Sequence, residues 1–96
     1  MESTSAQYVV TINSGSSSIK FASFRLGAPL ERVLSGKFDR VGLAEGELSF
    51  SDAAGRRETR SLQLANHAAC VPPLLELLEK SVGLSAVCAI GHRVVH

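Results

Sequence analysis

Near Asn66 the hydrophobic period of the chain changes from about two residues to about 3.6, and that change dictates strands first and a helix after them. Upstream, Tyr8, Val9, Val10, Thr11 and Ile12 are β-branched or aromatic throughout and apolar on both parities, as in a central strand covered on both faces. Ile19, Phe21, Ala22 and Phe24 resume an extended pattern after the turn around Gly15, up to Gly27. Gly27, Ala28 and Pro29 mark a further turn, followed by a strand over about Arg32 to Val41 with Leu34 and Phe38 on one face. Leu48 and Phe50 alternate with polar residues, and the mostly polar Arg57 to Leu64 belongs at a sheet edge. Downstream, Val71, Leu74, Leu75, Leu78 and Val82 share a helical face, opposite Glu76, Glu79 and Lys80, with Gly83 placed to cap the end. Pro72 and Pro73 allow a helix from Asn66 kinked at the prolines, the reading preferred here, or one beginning near Val71 with Pro72 in its first turn. Ala86 to Ile90 is then a short buried strand, parallel to a neighbour across the helical crossover. Antiparallel strands, a helix and a parallel strand make a mixed α/β sheet.

Composition narrows the function. Hydrophobic residues are 45% of the chain and charged ones 20%, so it should fold, except for the small polar residues 1–6, which read as a disordered leader. Ten Lys and Arg against nine Asp and Glu leave a charge of +1 with no basic stripe. Even the group Arg56, Arg57 and Arg60 is interrupted by Glu58 and lacks stacking aromatics, so no nucleic-acid partner is expected. No apolar run approaches the roughly 20 residues needed to cross a bilayer. Cys70 and Cys88 have neither CxxC nor metal-ligand spacing and lie among apolar residues, which suits buried thiols in a reducing compartment better than a disulfide or a metal site. A soluble, cytoplasmic protein is expected.

Two segments can carry chemistry. In Asn13-Ser14-Gly15-Ser16-Ser17-Ser18-Ile19-Lys20, the glycine lets backbone amides approach an anion, the hydroxyls add donors and Lys20 adds charge. This is phosphate chemistry without a Walker or dinucleotide fingerprint, because the stretch joins two strands in a hairpin. Taken alone, it is also compatible with an ordinary turn. The second segment, Gly91-His92-Arg93-Val94-Val95-His96, follows the buried strand at the place where open α/β sheets bind ligands. Arg93 there could grip a carboxylate or phosphate with a two-pronged pair, or form a surface ion pair. His92 and His96 read as packing or hydrogen-bonding residues rather than metal ligands, and His67 as a hydrogen-bonding residue at the helix start rather than a catalytic base.

Together these segments carry a resemblance. The run from Val10 to Phe21 resembles the N-terminal signature of acetate kinases, and Ile90 to His96 resembles a second signature at the expected distance downstream. The resemblance implies a ribonuclease H-like (actin-like ATPase) fold, with 7–96 forming the N-terminal part of such a domain and the remainder of the enzyme lying beyond it. It implies an enzyme that exchanges a phosphoryl group between ATP and acetate, giving ADP and acetyl phosphate. A propionate kinase of the same family, or a non-catalytic nucleotide-binding or structural domain, would share these features. The match of Asn13 is to a residue associated with Mg2+, those of Ser16, Ser18 and Lys20 to the phosphate-binding turn and the ATP phosphates, and that of Arg93 to an arginine holding the substrate carboxylate. No catalytic residue matches within these 96 residues, so the chain alone is expected to be inactive. The parent enzyme is expected to be a homodimer, and the chain by itself to self-associate through open apolar faces. Acetate is ionised at pH 7 and needs no general base, in keeping with the absence of one from the motifs.

Overall fold

A computed structural model describes residues 7–27 and 29–94, with backbone alone at 93 and 94. The expected leader 1–6, the turn residue Ala28 and His96 lie outside the described residues. Among the described residues there are six strands: β1 (Tyr8–Ser14), β2 (Ser18–Arg25), β3 (Glu31–Asp39), β4 (Gly46–Asp52), β5 (Arg57–Leu62) and β6 (Val87–Val94). A 3₁₀ turn (His67–Cys70) leads into an α-helix, α1 (Val71–Ser81). They form one sheet in the order β5-β4-β3-β2-β1-β6. The first five strands are an antiparallel meander, and β6 returns parallel to β1 after the helical crossover. This is the mixed sheet expected from the sequence, with β5 at one edge.

The core lies on one face of that sheet. Val10 from β1, Ile19 and Phe21 from β2, Leu34 and Phe38 from β3 and Leu48 from β4 are buried against Cys70, Leu74, Leu77 and Leu78. Each fully buried large side chain contributes about 1.5–3 kcal/mol, enough to hold α1 on the sheet where its own propensity would not. Gly36 makes room for an aromatic ring. A Cβ there would collide with Phe21 Cζ and come within 2.7 Å of the Ser49 carbonyl and 2.8 Å of Phe50 Cβ.

The structure corrects four expectations. First, the segment after Asn66 is not one kinked helix. Asn66 Oδ1 accepts from the Ala69 N–H at 3.0 Å, capping the 3₁₀ turn, and the α-helix proper starts at Val71. Pro72 and Pro73 then fall in the first helical turn, where an N–H has no intrahelical acceptor and its loss costs nothing. Second, the buried helix face is Leu74, Leu77 and Leu78, while Val71 and Leu75 are exposed, at 49% and 42%. Third, β6 does not stop at Ile90, because β1 offers ladder partners as far as Ser14 and the pairing continues to Val94. Fourth, β6 lies at a sheet edge rather than buried, with Ile90 60% exposed, so of the two thiols only Cys70 is buried. Burial pushes the Cys70 thiol above its ordinary range.

Ser23 is fully buried beside Val10 and Leu34, and its hydroxyl has no hydrogen-bond partner among the described residues. A desolvated, unpaired hydroxyl is a net cost. Ser23→Ala is therefore expected to stabilise the protein by about 1 kcal/mol, raising the melting temperature by roughly 4–8 °C. A thermal melt checks this, and a lowered midpoint would mean that the hydroxyl is bonded after all.

Candidate functional site

The Gly/Ser-rich stretch forms the β1–β2 hairpin, as its composition requires. The Gly15 N–H donates to the Ser18 carbonyl at 2.8 Å, closing the turn, and the Val41 N–H donates to the Ser17 carbonyl at 2.9 Å, tying it to the end of β3. Ser16 and Ser17 are exposed and Ser18 is half-buried at the start of β2. The N–H groups of Ser16 and Ser17 take no part in these closing bonds.

Register decides which side chains meet. Asn13 pairs with Lys20 across β1 and β2, and Lys20 with Lys37 across β2 and β3. Side chains alternate along a strand, and Ile19 and Phe21 point into the core, so Asn13, Lys20 and Lys37 occupy the face opposite α1. Like charges directly opposite one another repel. Lys37 is compensated by Asp39 at 3.4 Å, whereas Lys20 is exposed and has no ion-pair partner among the described residues. The turn thus has a free cationic side chain beside it, a charge arrangement suited to an anion.

The second motif comes to the same place. On the parallel β1–β6 pair, the backbone of Arg93 stands in register with Asn13, and both lie at the carboxyl ends of their strands. A direct contact also joins the two motifs, because Ser14 Oγ and His92 Nε2 are 3.1 Å apart. Asn13, Lys20 and Arg93 therefore occupy neighbouring positions of one row across the sheet, with Ser16 and Ser18 in the adjoining turn. Asn13, Ser16 and Lys20 are all exposed. A cavity of about 520 Å³ lies elsewhere, between the end of β5 and the start of α1, lined by Leu62, Leu64, Pro72 and Glu76 among others, and includes none of the motif residues.

Magnesium can be tested against this donor set. No group of three or more His, Cys, Asp or Glu able to hold a metal exists among the described residues. Asn13 offers one exposed carboxamide oxygen, which fits contact with an ion that brings its own phosphate oxygens and waters, the usual habit of Mg2+, and not a cage of protein ligands.

Sequence reasoning placed His67 at the helix start but missed its contact. Its Nε2 lies 2.7 Å from the Gly15 carbonyl, 52 residues away in sequence. The pairing of Lys37 with Lys20 was also missed, since only the strand register reveals it.

The fold is that of the actin-like ATPases. The chain superposes on the crystal structure of Porphyromonas gingivalis acetate kinase with a TM-score of 0.82 and 25% identity, over 95% of this chain and 24% of that one. A propionate kinase from Francisella tularensis has the same fold, with a TM-score of 0.80 at 24% identity over 94% of this chain and 23% of its own. Acetate kinases of Chromobacterium violaceum and Bacillus subtilis are 40% and 38% identical to the chain over 88 and 92 residues, 92% of this chain in each case. The chain spans 22% of the length of these curated relatives. Residues 8–96 match the acetokinase family, and the chain belongs to it.

Proposed function

We propose that residues 7–96 form the N-terminal part of an acetate kinase, contributing the phosphate-binding turn and one substrate-binding arginine to a site completed by other residues. The observation that carries this reading is the row that sets Asn13 beside Lys20 and in register with Arg93, next to an exposed Ser-rich turn. Similarity to acetate kinases over 92% of the chain supports the choice of reaction.

In this reading a carboxylate oxygen of acetate attacks the γ-phosphorus of ATP, the bond to the β–γ bridging oxygen breaks, and ADP departs, leaving acetyl phosphate. Both reactants are anionic, so bringing them in line requires positive charge and donors around the transferring group. Ser16 and Ser18 would donate to phosphate oxygens, Lys20 would offset their charge, and Arg93 would hold the carboxylate. Asn13 would contact the Mg2+ that arrives with the nucleotide and offsets charge on its phosphates. No residue of the chain has to take a proton from the nucleophile, since acetate enters already ionised.

The test is acetate-dependent ADP formation by the full-length protein, with acetate and propionate assayed in parallel. Acetate is expected to have the higher specificity constant. A higher constant with propionate would reassign the substrate, and MgATP binding without turnover of either acid would leave a nucleotide-binding domain.

A further inference from the structure

We propose that His67 is a positioning residue of the anion-binding turn, holding the Gly15–Ser16 peptide in the orientation that presents the Ser16 N–H to a phosphate. The inference rests on the nucleotide reading given above and assigns a part to a residue outside both motifs.

The geometry runs from the histidine outward. The Gly15 carbonyl can only accept, so at 2.7 Å the His67 Nε2 must carry the proton and donate it. The imidazole is not free to wander. His67 opens the 3₁₀ turn, half-buried, and Asn66 fixes that turn by accepting from Ala69 N–H at 3.0 Å. Cys70, at the end of the same turn, is 1% exposed and anchors it in the core. In a trans peptide the C=O and the following N–H point in opposite directions. Pinning the Gly15 carbonyl towards the 3₁₀ turn therefore aims the Ser16 N–H away from it, at the exposed mouth of the hairpin.

Without this bond the peptide has little else to hold it. The closing bonds use the Gly15 N–H and the Ser17 and Ser18 carbonyls, leaving the 15–16 peptide plane free to rotate. A glycine beside the plane lowers the barrier further. A nucleotide binding to a wobbling turn would first have to order it, which weakens binding without altering the contacts finally made. The position of His67 also explains the Asn66-His67 pair: one residue caps the turn, and the other reaches across to the hairpin.

The experiment compares His67→Leu and His67→Gln with wild type in the full-length protein, reading KM for MgATP, KM for acetate and the melting temperature. His67→Leu should raise KM for MgATP about tenfold, the scale of one lost positioning hydrogen bond, with KM for acetate changed less than about twofold. His67→Gln, which keeps an N–H donor at similar reach, should recover most of the loss. The same variants are titrated with inorganic tripolyphosphate while the Ser16 and Ser17 amide resonances are followed, so that binding is read apart from turnover. If wild type binds neither MgATP nor tripolyphosphate at these amides, the nucleotide reading fails and the inference with it. If wild type binds and His67→Leu binds as tightly, or if both variants lose melting temperature and affinity together with no rescue by Gln, the nucleotide reading stands and the role of His67 is overturned.

Discussion

Phe38→Ala is expected to lower the stability of the protein by about 3–5 kcal/mol, the usual range for emptying the space of a buried aromatic ring. Phe38 has no exposed surface. Its ring stands 5.5 Å from that of Phe21 at an interplanar angle of 48°, and it lies in register with Ile19 on one side and Leu48 on the other. Truncation removes the transfer free energy of the ring and leaves a cavity that three paired strands cannot close by moving one side chain. Domains of this size are stable by about 5–15 kcal/mol in total, so the loss would be a large part of the whole. Urea denaturation with an unchanged slope and a lower midpoint is the expected result. An unfolding free energy within about 1 kcal/mol of wild type would mean that Phe38 is not the centre of the core.

The elements that were legible in the sequence are those whose evidence is local. Alternation at Leu48 and Phe50, and the run of β-branched residues from Val9 to Ile12, mark strands without any knowledge of what they pair with. The polar stretch Arg57 to Leu64 reads as a sheet edge, and β5 is an edge strand, ending at Leu62. What failed depends on partners. The apolar run Ala86 to Ile90 implied burial, yet β6 is the last strand of the described sheet, and its length is set by β1 rather than by Gly91. Propensity counts an interior proline as costly and so implies a kink, whereas a cap at Asn66 lets the chain spend four residues in a 3₁₀ turn and meet both prolines in the first helical turn.

The same distinction applies to the site. Gly15 and its serines mark a hairpin turn by composition alone, and only together with the second motif do they point to an anion. That Asn13 and Lys20 share a face follows only from the hairpin register, in which the two are direct partners. The long-range contact from His67 to Gly15 had no signal in spacing or period, and the nearest hint was the capping residue Asn66 beside it.

Arg93→Ala in the full-length protein is expected to lower the specificity constant for acetate about ten- to a hundredfold, with the KM for MgATP changed little. The backbone of Arg93 is fixed by the parallel ladder with β1, in register with Asn13, so its position relative to the β1–β2 turn is set by the sheet and not by a loop. A carboxylate held there by a two-pronged, charge-assisted pair loses both hydrogen bonds when the guanidinium goes. Under the proposed function nucleotide affinity should survive, because the residues proposed to contact the phosphates, Ser16, Ser18 and Lys20, belong to the β1–β2 hairpin and not to β6. Arg93→Lys should restore only part of the acetate constant, since an ammonium supplies charge without the planar fork. A merely structural ion pair predicts another pattern, a lower melting temperature with kinetic constants unchanged in the enzyme that remains folded. Acetate and MgATP kinetics measured beside a thermal melt separate the two, and a well-folded Arg93→Ala protein with an unaltered acetate constant would remove Arg93 from the site.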